Sequence, residues 1–361
     1  MADTLKIGII GCGGIAGGKH APALSTLKDV EMTAFCDIEP DKAESLRRKY
    51  GTPDAKVYTD YRELLKDKSL DIVHVLTPNN LHAEMTIAAL EAGKHVNCEK
   101  PMAKVAADTR RMIDAAKKTG KKLTISYQNR FREDAQYLHT LARDGDLGDI
   151  YFAKAHAVRR RAVPTWGVFL DAEKQGGGPL IDIGTHALDL ALWLMDNYQP
   201  KTVLGQTFRK LGDKDNAANA WGPWDPKKFT TEDSAFALIT MQNGAAVYLE
   251  ASWALNVAEA EEATCTLCGT EGGADFHGGL RLNGEKHSRL YDNKVLFGGS
   301  GVAFFDAKPS ANSAAEAEMR SWISAVRNNT EIVVKPEQAA VVSEILEAVY
   351  QSAKTGKAVS F

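Results

Sequence analysis

Cysteine is scarce in this chain: five residues in 361, an odd number at spacings that match no framework, which excludes a disulfide-stapled scaffold. Cys265 and Cys268 form a CxxC, but neither a second CxxC nor a HxxxH lies nearby. Tetrahedral zinc would lack ligands, so no metal is expected and the two thiols read as residues of a buried strand. No apolar run reaches the roughly 20 residues needed to cross a bilayer, which argues against a membrane role. Met1 to Lys6 carry none of the basic, apolar and small-residue segments of a signal peptide, and a cytoplasmic location is expected. Charge of one sign is not in excess either. Forty-four Lys and Arg stand against 47 Asp and Glu, a net charge of -3 spread along the whole length, which excludes the basic footprint of a nucleic-acid binder. Internal repeats and low-complexity linkers are missing.

What is present is ordinary for a globular protein of about two domains: 44% hydrophobic and 25% charged residues. The first 125 residues alternate short apolar runs with amphipathic segments. Strands are expected over Leu5–Ile10, Val30–Asp37, Ile72–Leu76, His95–Cys98 and Leu123–Tyr127, and helices over Pro40–Lys49, Tyr61–Leu65, Leu81–Ala92 and Ala106–Lys118. That order predicts an α/β fold, a doubly wound parallel sheet over 1–125. From about residue 148 longer alternating runs and the hairpin signal Gln242-Asn243-Gly244, suited to a tight primed turn, predict a second α+β domain over 126–361 with a large, open, mostly antiparallel sheet. Helices are expected over Pro179–Met195, Ala314–Arg327 and Pro336–Lys354, and a long surface loop over Leu211–Lys228.

Ile9-Ile10-Gly11-Cys12-Gly13-Gly14-Ile15-Ala16 follows the first strand and opens a helix, fitting G-x-G-x-x-[GA]. Gly11 permits the tight turn, Gly13 lets backbone approach a pyrophosphate, and the helix N-terminus offers free N–H groups. Asp37 ends the second strand about twenty residues on, where a carboxylate binds the adenosine ribose or caps a helix before Pro40. An acid there, followed by the uncharged Ile38, favours NAD(H) over NADP(H). Thr77-Pro78-Asn79-Asn80-Leu81-His82 and Glu99-Lys100-Pro101 each leave a strand at its carboxyl end, where ligands lie in open α/β sheets. A lysine in a cleft can polarise or deprotonate an alcohol, and Glu-Lys-Pro is equally a plain turn.

In Gly176-Gly177-Gly178-Pro179-Leu180-Ile181-Asp182-Ile183-Gly184-Thr185-His186, the glycines allow close approach by another backbone or a ligand. Asp182, His186, Asp189 and Trp193 recur along one stripe of an apolar helix. An Asp and a His inside it either form a satisfied buried pair or make a His whose proton affinity the Asp sets, placed to take an alcohol proton.

With these motifs assembled the sequence resembles the Gfo/Idh/MocA family, which includes glucose-fructose oxidoreductase and inositol 2-dehydrogenase. The resemblance rests on the glycine turn, Thr77-Pro78-Asn79, Ala92-Gly93-Lys94-His95-Val96 leading into Glu99-Lys100-Pro101, and the triple glycine before Asp182 and His186. It implies substrate held between a Rossmann domain and an open-faced sheet that builds homodimers or homotetramers, with Lys100, Asp182 and His186 catalytic and either Lys100 or His186 the base. The candidate nucleotide contacts are Gly11, Gly13, Gly14, Ile15, Asp37, Thr77, Asn79, His82, Glu99 and Lys100. Gln128, His156, Arg160 and Trp166 are the candidate substrate contacts; strand alternation puts His156 and Arg160 on one face, although Arg159-Arg160-Arg161 also suits a solvated strand end. The expected activity is hydride transfer to or from a ring secondary alcohol of a sugar or cyclitol. An NAD-dependent glycosidase acting by transient oxidation and elimination is the alternative, and a non-catalytic dinucleotide sensor would have no need of a proton relay.

Overall fold

The computed structural model describes residues 4–297 and 313–361. The chain divides into two units, Met1–Gln128 with Asn312–Ala340, and Asn129–Ala311 with Val341–Phe361.

The first unit is built on six parallel strands, β1 (Leu5–Ile10), β2 (Val30–Cys36), β3 (Lys56–Tyr58), β4 (Ile72–Val75), β5 (His95–Cys98) and β6 (Leu123–Ile125), in the order β3-β2-β1-β4-β5-β6. The central strands are buried on both faces, as the fully buried Ile-Val-His-Val of β4 illustrates, because helices cover the sheet on both sides. Chain order reverses between β1 and β4, and the carboxyl ends there carry the glycine turn and the Thr77 loop. The sequence reading of five strands lacks β3, whose three residues pair only with β2 at the sheet edge and are too few to show a period.

A division at residue 125 also leaves out a return crossing. The helix Ala314–Arg327, capped by the Ser313 hydroxyl accepting from Glu316 N–H at 3.2 Å, belongs to the first unit. Its Met319, Trp322 and Ile323 join Ile7, Ile9, Leu24 and Phe35 in one apolar cluster.

The second unit carries nine strands, β7 (Ile150–Val158), β8 (Pro200–Phe208), β9 (Ser234–Met241), β10 (Ala246–Ser252), β11 (Glu262–Gly269), β12 (Gly272–Asp275), β13 (Arg281–Lys286), β14 (Arg289–Lys294) and β15 (Val359–Ser360). Their order is β14-β13-β12-β11-β7-β10-β9-β8-β15, antiparallel except where β7 and β10 run parallel. The β9–β10 hairpin is looser than a primed two-residue turn: Gly244 N–H donates to Met241 C=O at 3.0 Å, and Gly244, not Asn243, takes the positive φ of 91°. That is a three-residue loop with glycine in the left-handed position.

One face of this sheet is lined by buried Ala153, Ala155 and Ala157 of β7, Val247, Leu249 and Ala251 of β10, and Cys265 and Leu267 of β11. Small residues let a helical segment lie close. A Cβ built on Gly184 would come within 3.0 Å of the Ala251 Cβ. This segment runs Leu180–Gly184 as a π-type turn and Thr185–Met195 as α-helix, and every residue from Leu180 to Leu194 is buried. The opposite face shows Tyr151, Leu204 and Leu238 to solvent. No helix among the described residues is long and apolar enough to cross a membrane, and no group of three or more His, Cys, Asp or Glu there could hold a metal ion.

Candidate active site

Gly11 adopts φ +92°, and a Cβ there would sit 2.6 Å from the Leu76 carbonyl oxygen, so this position is closed to other residues by the fold itself. Gly13 and Gly14 differ. A Cβ at either would meet no protein atom within 4 Å, and both are exposed. Their missing side chains therefore leave backbone open to something outside the protein, as a dinucleotide pyrophosphate requires. Asp37 is tied to the same turn: Oδ2 accepts from Cys12 N–H at 2.8 Å and Oδ1 from Glu39 N–H at 3.0 Å. Ile15 and Ile38 beside it are exposed. At the end of β4 the Thr77 hydroxyl is buried without a hydrogen-bond partner among the described residues. Open glycine backbone, a fixed carboxylate and an orphaned hydroxyl at the sheet's switch point fit an NAD(H) site.

Behind Lys100 lies a charged network that the motifs did not reveal. The Lys19 ammonium stands 3.0 Å from Glu99 Oε1 and 3.2 Å from Glu318 Oε2, and donates to Ser126 Oγ at 2.8 Å and to Gln128 Oε1 at 3.0 Å. His20 Nε2 lies 2.8 Å from Glu99 Oε1, and its Nδ1 lies 3.0 Å from His74 Nδ1. The second oxygen of Glu99 accepts from the Lys100 backbone N–H at 3.0 Å, ahead of a cis Lys100–Pro101 peptide. Burial would raise the Glu99 pKa, but Lys19, His20 and Lys100 outweigh it and hold the carboxyl well below the usual range. Burial, with the charges of His20 and Lys19, keeps His74 neutral, well below an ordinary histidine. Gln128 is thus engaged by Lys19. Lys19 and His20 continue the helical turn after the glycines, and Glu318 sits beside Met319 on the buried face of an amphipathic helix; a charge on an apolar face was the one sequence signal available.

His82 is buried, with Nδ1 2.8 Å from Pro101 C=O and Nε2 2.8 Å from Thr77 C=O. Two carbonyl acceptors ask for two N–H donors. Burial lowers its pKa, and the Cys98 sulfur with the two carbonyls more than reverses this, pushing it up to about 9. With both nitrogens bonded to backbone carbonyls, His82 braces the Thr77 and Lys100 loops. Asn79, one loop residue on from Pro78, is buried.

In the second unit, the triple glycine admits protein rather than ligand. A Cβ on Gly177 would collide with the Tyr350 hydroxyl, and one on Gly178 with the Glu232 carbonyl. Glu232 accepts from Gly178 N–H at 2.9 Å, Leu180 N–H at 3.2 Å and Tyr350 O–H at 2.8 Å, anchoring the start of the helical segment. Along that segment the polar stripe divides by role. Asp189 is locked to Arg130 by hydrogen bonds of 2.9 and 2.6 Å, a fully buried ion pair. Asp182, buried, accepts from the Trp253 indole N–H at 3.0 Å, and His186 is buried one turn further along.

Two substrate candidates move away from this segment. Ala153, Ala155 and Ala157 face the helix, so His156 points to the opposite face, where it meets Glu250 at 2.7 Å and Thr266 at 3.2 Å. Arg160 is exposed, because β7 ends at Val158 and alternation does not extend to it. Its neighbour Arg159 is the one that feels the Asp182 charge: burial opposes its protonation, and the Glu262 and Asp182 carboxylates outweigh that and raise its pKa. Trp166 is exposed.

A glycine turn with open backbone and a fixed carboxylate at the switch point of a parallel sheet defines a dinucleotide-binding protein of the nicotinamide type. The chain belongs to the Gfo/Idh/MocA oxidoreductase family: residues 5–127 match its NAD-binding Rossmann fold and residues 140–361 its C-terminal alpha/beta domain. It is 36% identical over 355 residues to D-glucoside 3-dehydrogenase of Escherichia coli (strain K12), covering 98% of this chain and 97% of the relative. With inositol 2-dehydrogenase of Salmonella typhimurium (strain LT2) it shares 33% identity over 201 residues, 55% of this chain and 57% of that one. The structure of levoglucosan dehydrogenase in complex with NADH and levoglucosan superposes with a TM-score of 0.83 over 99% of each chain at 21% identity, a likeness of fold.

Proposed function

We propose that this protein is an NAD(H)-dependent dehydrogenase that oxidises a ring secondary alcohol of a sugar or cyclitol, with Lys100, Asp182 and His186 as its catalytic residues. The observation that carries the reading is the placement of a buried Asp and a buried His one turn apart in one apolar helical segment, with Asp182 accepting from the Trp253 indole. The whole-length likeness to a glucoside 3-dehydrogenase supports the substrate class.

A carbinol carbon releases hydride only as its hydroxyl proton leaves. When bound, the nicotinamide supplies the hydride acceptor. His186 takes the proton, Asp182 favours the protonated imidazole and is itself oriented by Trp253, and Lys100 polarises the hydroxyl from a backbone position fixed by Glu99. Gly11, Gly13, Gly14, Ile15, Asp37, Thr77, Asn79 and Glu99 form the nucleotide cradle, Glu99 through its hold on Lys100. Asp37, next to an uncharged Ile38 that is 86% exposed, repels a 2′-phosphate, so NAD(H) is preferred over NADP(H). The helix-free sheet face with Tyr151, Leu204 and Leu238 is the surface through which subunits associate as dimers or tetramers, and five unpaired cysteines suit the cytoplasm.

The test is a panel of inositols, aldoses, sugar phosphates and glycosides assayed for reduced cofactor at 340 nm with NAD and with NADP. Net NADH from a ring alcohol is expected, with higher kcat/KM for NAD. No turnover of any member overturns the activity, and equal efficiency with NADP overturns the cofactor preference alone.

A further inference from the structure

Loop Leu211–Lys228 has no role in the site so far described, yet it is held firmly. Asp233 Oδ2 accepts from the backbone N–H groups of Lys210, Leu211 and Gly212 at 2.6, 2.6 and 2.8 Å. Its middle is stitched to the segment after β7: Ala220 N–H donates to Arg161 C=O at 3.1 Å, Asn219 exchanges hydrogen bonds with the Val163 backbone at 2.8 and 3.0 Å, and the Thr165 hydroxyl donates to Trp221 C=O at 3.0 Å. What this fastening presents is a pair of indoles. Trp166 and Trp221 meet edge to face, centroids 4.9 Å apart and planes at 78°, and each remains about half exposed, at 52% and 44%. Large aromatics held rigidly and left wet are unusual on a surface with no partner for them.

Two connections lead from the indoles to Asp182. One runs through rings: Trp166 touches Phe169 at 5.9 Å, Phe169 touches Trp253 at 6.3 Å, and the Trp253 indole donates to Asp182. The other runs through Arg159, whose guanidinium lies 5.3 Å over the Trp221 ring while feeling the Asp182 charge. Trp253 is fully buried and Phe169 touches both it and Trp166, so the exposed indoles lie beyond the rings nearest Asp182 and are placed for a part of a ligand other than the ring held there.

We propose that Trp166 and Trp221 form a stacking platform for the aglycone of a glycoside, so that the preferred substrate is a sugar carrying a second ring rather than a free monosaccharide or a cyclitol. The angled indoles offer one face to stack on and one edge to close against, and neither asks for a particular hydroxyl pattern, so the aglycone is selected for its ring and not for its polar groups. This deepens the dehydrogenase reading and rests on it for the identity of the oxidised ring.

The experiment compares phenyl glucoside with methyl glucoside in wild type, Trp166→Ala and Trp166→Phe, by NADH formation and by calorimetric titration of phenyl glucoside into protein. Expected are a kcat/KM for phenyl glucoside about tenfold above that for methyl glucoside, its loss in Trp166→Ala through KM with kcat retained, and its retention in Trp166→Phe. Methyl glucoside should lose far less than phenyl glucoside in Trp166→Ala, so that the ratio between the two falls from about tenfold toward one. Equal behaviour of the two glucosides in wild type, or equal losses on both in Trp166→Ala, overturns the platform while leaving the dehydrogenase standing. A change of oligomeric state in Trp166→Ala on size-exclusion chromatography overturns it in favour of a subunit contact. If another ring alcohol of the panel is oxidised but no glucoside is, the glycoside preference is overturned; if nothing on the panel is oxidised, the functional reading fails instead, and the titration still decides whether the indoles hold a ring.

Discussion

The two units solve recognition with different materials. In the first, the site is made of open glycine backbone, one fixed carboxylate and a buried set of charges in which Lys19, His20, Glu99 and Glu318 restrain one another. In the second, contacts run from Asp182 through Trp253, Phe169 and Trp166 to Trp221, ending in two exposed indoles. A ligand that never changes can be met by backbone and by charges that neutralise each other inside the protein. A ligand with a variable part is better met by side chains at the rim, where substitution disturbs little of the fold.

The sharpest way to break this comparison is to separate chemistry from cofactor binding. His186→Ala should lower kcat by roughly 10²-fold to 10⁴-fold, the usual contribution of a general base, while NADH titration shows unchanged affinity. A well-folded variant with near-normal turnover would return Asp182 and His186 to a purely structural role and leave Lys100 as the base.

Next in size comes the charged network. Lys19→Met removes the cation shared by two buried carboxylates and should destabilise the protein by about 3–5 kcal/mol, seen as a fall in melting temperature on the order of 10 °C. Adding Glu318→Gln should restore part of it, since one stranded charge is then removed. An unchanged melting temperature in Lys19→Met would show that the first unit does not depend on its buried charges.

The smallest effect distinguishes the loops. His82 is raised to about 9 in the fold, against an ordinary value near 6.5. Its stabilisation is therefore complete below about pH 6.5 and is lost as pH rises through about 9. Thermal melts should fall by a few degrees between pH 7 and 9.5, and His82→Gln should flatten that slope. A slope identical in the variant would remove the protonated clamp from the account.

Much of the scaffold was legible because central strands of a parallel sheet are apolar throughout, so β1, β2, β4, β5 and β6 announce themselves, and Gly11 and Asp37 fall where such a sheet ends. β3 did not, because Lys56-Val57-Tyr58 owes its strand to pairing with β2 rather than to any pattern of its own. The helix from Pro179 was readable, but its opening π-type turn was not: Asp182 is its one polar side chain and apolar residues flank it on both sides, so no stripe marks the change of pitch. The shared face expected for His156 and Arg160 does not form, for two different reasons. Alternation was right for β7, but which face the helix covers is decided by alanines whose smallness matters only once Gly184 lies on Ala251, and past Val158 there is no strand to alternate. The Lys19 network was hidden apart from Glu318 on the apolar face of its helix, since ion pairs between residues 19, 99 and 318 leave no trace in local spacing. Trp166 was visible as a substrate candidate, whereas Trp221, inside a loop rich in Asp, Asn and Pro, looked like surface until its hydrogen bonds to the Arg161–Thr165 segment were on view.

The helix Ala314–Arg327 gives the first unit a timetable. A ribosome delivers residues 4–128 early, but Glu318, Met319 and Trp322, which complete their charge balance and their apolar cluster, are made only after the entire nine-stranded sheet except its last short strand has been translated. Until then Lys19 has Glu99 alone as a carboxylate partner, and the patch around Ile7 and Leu24 stays uncovered. The nucleotide fold is the first to be synthesised and among the last to be finished, and during that interval the nascent chain exposes a sticky, half-neutralised surface of the kind that chaperones hold.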